Sequence, residues 1–385
     1  MIRFGIVVAT FFSLALYAGS FTFILREGGI PFYYLGVFFA IAVILYLIFN
    51  SLSREYVGRA GDAIIVPVSI LMVAVAFVLV YISQSIPIIS VSVALFTVSL
   101  IMFYNSTVRN EVSISTNERI FMGGAGLGGF IGLIVAGVFP GKMSVLDSYM
   151  AIIMLAVGLA AVFVFFRRPT GRFSIADAFH VFVRPFNSME KIRTIEKKLL
   201  LLAVSLDEIF VWIAIGASFP FVISAGLGSG MSRPAVMFSV AAAIIIGAAL
   251  VYVFESSNIP ATPFFYPVKD LILVAGLLLL SFMYPASYVA GMIFLALLPV
   301  AFIGSVRFLK SQFPSSFDFR QITSFFRNPI MVIAPLMGSI LWAVSGAMLF
   351  LTAMAFAIFA LVIGIIVITN PKIFKVSDPY ETANN

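Results

Sequence analysis

Two adjacent carboxylates, Asp207 and Glu208, stand inside a long apolar stretch of the chain. Charged groups in apolar surroundings are costly, and they mark candidate functional sites. Lys197 and Lys198 form the polar boundary of this stretch, so Glu208 lies ten residues past Lys198. At about 1.5 Å per helical residue that is ~15 Å, half of a hydrocarbon layer of roughly 30 Å. Low dielectric disfavours the charged form of a carboxyl there. Such a group can carry a proton or pair with a cationic substrate. Neighbouring residues point about 100° apart around a helix, so one of the two faces a given cavity and the other does not. Ser205, Glu208 and Trp212 fall at i, i+3 and i+7, which favours Glu208 as the coupling or cation-binding group, with Asp207 second. A parallel stripe occurs near the start of the chain, where Thr10, Ser13, Tyr17 and Ser20 fall at i, i+3, i+7 and i+10. Ser90, Thr97 and Tyr104 form a weaker one. These stripes are the expected lining of a substrate cavity.

Other chemistries find little support. Cys is absent and His180 is the one histidine, so no thiolate nucleophile or metal ligand set is expected, and no cofactor. No ATP-binding glycine loop is present, and no second intramembrane Asp stands in an obvious partner span, so the chain is not expected to be an enzyme. Lys269 and Asp270 are expected as an exposed pair at a helix end, and Glu255 likewise. With no Lys or Arg expected deep in the cavity-lining spans, phosphorylated and dicarboxylate substrates lack a partner. Asn and Gln are scarce in mid-span, which argues against sugars. An aromatic, weakly polar surface remains, in a chain with 42 Phe. It suits lipophilic neutral or cationic compounds.

The elements that must hold these residues are membrane helices. Of 385 residues, 62%, about 239, are hydrophobic, and only 10% are charged. That rules out a soluble enzyme and a disordered chain, and no nucleic-acid partner is expected despite a pI near 9.6. In lipid the backbone must satisfy its own hydrogen bonds, so long apolar runs predict helices. Twelve are predicted, with Phe4–Leu25 taken as a retained span rather than a signal peptide. If the N-terminus is cytoplasmic, twenty of the 23 basic residues fall in inner connections, and only Arg26, Lys142 and Arg233 lie outside. The basic excess is then an orientation signal, and both termini are cytoplasmic in a multi-pass plasma-membrane protein.

The longest polar stretch, Arg167–Lys198, divides the chain into residues 1–166, a linker over 167–198 and residues 199–385. Phe179, Phe182, Val183 and Phe186 predict an amphipathic helix in the linker, lying on the inner membrane face. The halves resemble repeats. Ala125–Ile131 and Ala334–Ile340 share Ala, Leu, Gly and Ile at an offset of 209, each in the fifth span of its half. The expected fold is all-α, with twelve transmembrane helices in two pseudo-symmetric six-helix bundles.

Across its whole length this plan resembles the major facilitator superfamily of transporters. In the place of that family's loop signature between spans two and three stands Asn50–Arg59, with Arg54 and Glu55 where the family has Asp-Arg, and one residue inserted before Gly58. The resemblance implies a charge latch of Arg54, Glu55, Arg59 and Asp62. The family's glycine-rich fifth span is matched by Gly124, Gly128, Gly129 and Gly132, without the proline, and by Pro335 and Gly338 in span eleven. Small residues there allow close helix packing. The resemblance implies a monomeric secondary active transporter working by alternating access, coupled to protons and exporting its substrate. Uptake of a small neutral or cationic nutrient is the alternative, and a non-transporting sensor or scaffold is the alternative of another class.

Overall fold

The computed structural model describes residues 2–60, 62–109, 114–139, 141–165, 195–257, 262–313 and 319–370. The predicted linker helix with His180 lies outside them. Among the described residues the fold is all helix. Six helices form the first half: α1 (Ile2–Glu27), α2 (Tyr34–Ala60), α3 (Asp62–Ile82), α4 (Ile86–Arg109), α5 (Ile114–Val138) and α6 (Met143–Phe165). The second half holds α7 (Ile195–Ser218), α8 (Arg233–Ser256), α9 (Phe265–Ser281), α10 (Pro285–Gln312), α11 (Phe319–Val344) and α12 (Gly346–Thr369). Among the described residues, nine spans are long and apolar enough to cross a membrane. Span seven does not stop at Ser218. It passes through a 3-10 turn, Phe219–Phe221, into a short helix, Val222–Gly228. Pro220 has no N–H to give an α-helical ladder, which places the break there.

The two halves repeat their local solutions. The α1–α2 turn uses Gly29 at φ +67°, and the turn before α8 uses Gly230 at φ +86°. Glycine takes this left-handed conformation without a Cβ clash. Gly128 and Gly132 of α5 press on the α1 backbone, where a Cβ would collide with Val8 O and Phe12 O. Gly338 of α11 presses in the same way on Ala217 O of α7. Without a hydrophobic force between helices in lipid, this close approach is how dispersion contacts hold each bundle together.

The bundles meet along α5–α8 and α2–α11. A Cβ on Gly126 would stand 2.9 Å from Ala248 Cβ, and one on Gly129 would stand 3.6 Å from Ile244 Cγ2. Gly36 of α2 lies against Pro335 O and Ser339 Oγ of α11, with no room for a side chain. At the same end, Arg233 of α8 donates from Nε at 3.0 Å and Nη2 at 2.7 Å to Ala136 O of α5. Gly124 is buried in α5.

Three expectations are corrected. The stretch Asn50–Arg59 is not a loop, because α2 runs on to Ala60. Arg54 and Glu55 end the hydrophobic run but still favour helix. The side chains of Arg54, Glu55, Arg59 and Asp62, the expected latch, lie outside the described residues. Next, α6 begins at Met143 rather than near Tyr149. Asp147, which an apolar run starting at Tyr149 leaves in the preceding connection, is therefore helical and fully buried. Lastly, Lys269 and Asp270 are not exposed; they are 3% and 0% accessible.

Candidate functional site

A cavity of about 470 Å³ opens among α1, α2 and α4 and is closed on one side by the break in span seven and by Met331 of α11. Its wall is aromatic and aliphatic: Phe21, Phe38, Phe39, Phe96, Phe219 and Met331 are typical, and no charged side chain lines it. The polar residues on its wall are Tyr17, Thr22, Tyr46 and Thr97, and the Thr97 hydroxyl donates to Val93 O at 2.8 Å, one turn back. Tyr17 is fixed from three sides. Its ring stacks on Phe96 at 4.1 Å and meets Phe77 edge-on at 5.5 Å. Its hydroxyl pairs with Ser92 Oγ at 2.7 Å, and Ser92 in turn donates to Ala76 O.

Of the predicted lining residues, Tyr17 and Thr97 reach this cavity. The side chain of Tyr104 lies outside the described residues, and the others do not line it. Ser13 donates to Ala9 O and Met154 Sδ, Ser20 to Tyr17 O, Ser90 to Ile86 O and Ser205 to Leu201 O. Thr10 is buried. Hydroxyls that bond the preceding helical turn are satisfied locally and offer little to a ligand. Sequence reasoning missed Ser92, two residues from Ser90, and singled out none of the five phenylalanines in the wall.

Asp207 and Glu208 diverge as their spacing requires. Glu208 turns towards α11. Its Oε2 is 3.8 Å from Arg327 Nη1, and Thr323 is within hydrogen-bonding reach. The Arg327 guanidinium lies over the Trp212 ring, 5.4 Å from its centroid. The Glu208 side chain is 19% accessible and that of Arg327 29%, but Glu208 Oε2 itself is buried. This is a loose pair: 3.8 Å is beyond a hydrogen bond. Arg327, expected in a connection, is thus a basic partner inside the helical body. Asp207 turns instead to α9 and is fully buried. Lys269 Nζ donates to Asp207 Oδ2 at 2.8 Å and to Asp270 Oδ1 at 2.6 Å. The Tyr266 ring lies against Lys269, 4.7 Å from the ammonium. The signal was present: Tyr266, Lys269, Asp270, Leu273, Leu277 and Leu280 share the buried face of α9.

Depth is also revised by this contact. Lys269 lies four residues inside α9, and Gly364 of α12, which packs on Asp270, lies five from that helix's end. Asp207 is at their level, one to two turns from one end of the bundle. The first turns of α7, with Glu196, Lys197 and Lys198, extend beyond it.

No family model matches the sequence, and no curated protein matches it. Solved structures do match. A POT family transporter in complex with a thioalcohol-conjugated peptide superposes with TM-score 0.68 at 12% identity, over 97% of this chain and 96% of that one. A bacterial homologue of the human lysosomal transporter Spinster, inward-facing and occupied, gives 0.71 at 10% identity, over 98% and 97%. The nucleoside transporter NupG, as a point mutant, gives 0.67 at 11% identity, over 97% and 100%. These similarities span both halves. This chain is a multi-pass membrane protein with the fold of the major facilitator superfamily.

Proposed function

We propose that the protein is a secondary active transporter that moves a small lipophilic neutral or cationic compound across the plasma membrane by alternating access. The observation that carries this is the uncharged aromatic cavity at Tyr17 and Phe96. Its volume is in the range that encloses a drug-sized molecule. Aromatic faces bind apolar surface and cations alike. The structural neighbours are transporters, with peptide and nucleoside carriers among them. Coupling is to protons, through Glu208, and the direction is export, with both termini cytoplasmic.

Binding tests the cavity directly. Phe96→Ala removes one face of the Tyr17 stack, worth about 1.5–3 kcal/mol of burial for a full aromatic side chain. Affinity for a planar fluorescent cation, measured by anisotropy in detergent, is expected to fall at least tenfold. Phe210→Ala, whose ring packs on Phe356 and Phe359 away from the cavity, is expected to leave affinity unchanged. Equal affinity in wild type and Phe96→Ala would place the substrate elsewhere.

A further inference from the structure

The cluster formed by Asp207, Lys269 and Asp270 has one carboxylate too many. Both acids are 0% accessible and Lys269 is 3% accessible, so all three are cut off from water. One ammonium serves two carboxylates, each through a single oxygen. The other two oxygens, Asp207 Oδ1 and Asp270 Oδ2, have no hydrogen-bond partner among the described residues. Tyr266 Oη, beside Asp207, is in the same condition. The shared Lys269 ammonium, 2.8 Å from Asp207 Oδ2 and 2.6 Å from Asp270 Oδ1, holds the two carboxyl groups side by side. Other charged groups near the cluster are Glu208, one residue along α7, and Arg327 behind it on α11. Gly364 of α12 caps Asp270 with no polar group.

A net negative charge in a dry interior is strongly disfavoured, and two carboxylates in contact do not both stay ionised. A sodium ion would need several more oxygen donors than the two free ones here. A proton needs none. A single proton supplies both the missing charge and the missing donor, because a protonated carboxyl can bond the free oxygen of its neighbour. We infer that the Asp207–Lys269–Asp270 cluster is a proton-binding site that holds one proton between its two carboxyls, separate from Glu208. The inference does not depend on Glu208 being the coupling group or on the cavity binding substrate.

Infrared spectroscopy of the full-length protein in nanodiscs at neutral pH tests this. Aspartate carrying a heavy-carbon carboxyl label separates its carboxylic-acid stretch from that of glutamate. Asp207→Asn and Asp270→Asn are each expected to remove one carboxylic-acid equivalent, because the remaining acid pairs one-to-one with Lys269. The double variant is expected to remove no more than either single. Lys269→Met, which removes the ammonium, is expected to add one equivalent. Glu208→Gln is expected to leave the labelled band unchanged. If neither single variant changes the band, or if sodium in place of potassium abolishes it, the proposal is overturned. Should one aspartate variant fail to fold, the other and Lys269→Met still decide.

Discussion

Glu208→Gln is expected to reduce substrate-driven proton movement by at least tenfold, to the level of empty liposomes, while retaining substrate binding. Glutamine keeps the size and polarity of the side chain but neither takes nor releases a proton at accessible pH. The geometry supports this split. The Glu208 side chain is 19% accessible although its Oε2 is buried, so opening of the neighbouring space would bring water to the carboxylate. Its counter-ion is held loosely, at 3.8 Å, with Arg327 also resting on Trp212. A loose pair can exchange Arg327 for a proton without first breaking a tight buried bond. Asp207, tied to Lys269 at 2.8 Å and sealed, cannot do this without moving α9. A tenfold loss corresponds to about 1.4 kcal/mol. A pH-sensitive dye inside liposomes measures the flux, and anisotropy of a fluorescent substrate measures binding. Unchanged flux in Glu208→Gln would remove Glu208 from the coupling step.

The second large effect is steric. Gly36→Ala adds one methyl where Pro335 O and Ser339 Oγ of the opposite bundle already stand. The backbone carbonyl cannot turn aside as a flexible side chain could. The α2–α11 contact therefore cannot form as it does here, and this end of the molecule is expected to stay parted. Alternating access requires that contact to form and break once per cycle, so transport is expected to fall at least tenfold. A cysteine reports the parting cleanly, because the natural chain has none. In the Ala42→Cys background, Gly36→Ala is expected to raise labelling by an impermeant maleimide at least tenfold, with the reagent added on the α1–α2 turn side. Equal labelling and equal transport would show that this contact does not gate the cavity.

How much of this could be read from the amino acids depends on the range of each interaction. The helices are local. A run of apolar residues has one way to satisfy its backbone in lipid, so the two six-helix halves were readable from composition and charge. Boundaries were less so. Hydropathy ends where Arg54 and Glu55 begin, but helical propensity does not, and α2 continues to Ala60. The site was read in part. The 100° step between Asp207 and Glu208 predicted that they would face different neighbours, and they face α9 and α11. Nothing local says that the partner of Asp207 lies 62 residues away. A Lys-Asp pair near a helix end looks like an interface, although its periodicity with Tyr266 and Leu273 marks it as buried. Ser90 and Ser92 differ by about 200° around α4. Ser92 is the one that meets Tyr17, and the choice between them depends on how α4 is rotated against α1.

The proposed transport exchanges a lipophilic compound for protons. The most direct measurement is movement of a planar aromatic cation such as ethidium in liposomes containing the purified protein, under an imposed pH gradient. Vesicles with either face of the protein outward give the direction. Exchange of the compound for protons is expected to give accumulation above that in protein-free liposomes, abolished by a protonophore and by Glu208→Gln. Accumulation equal to that of protein-free liposomes, in both orientations and for neutral and cationic members of a lipophilic panel, would contradict it.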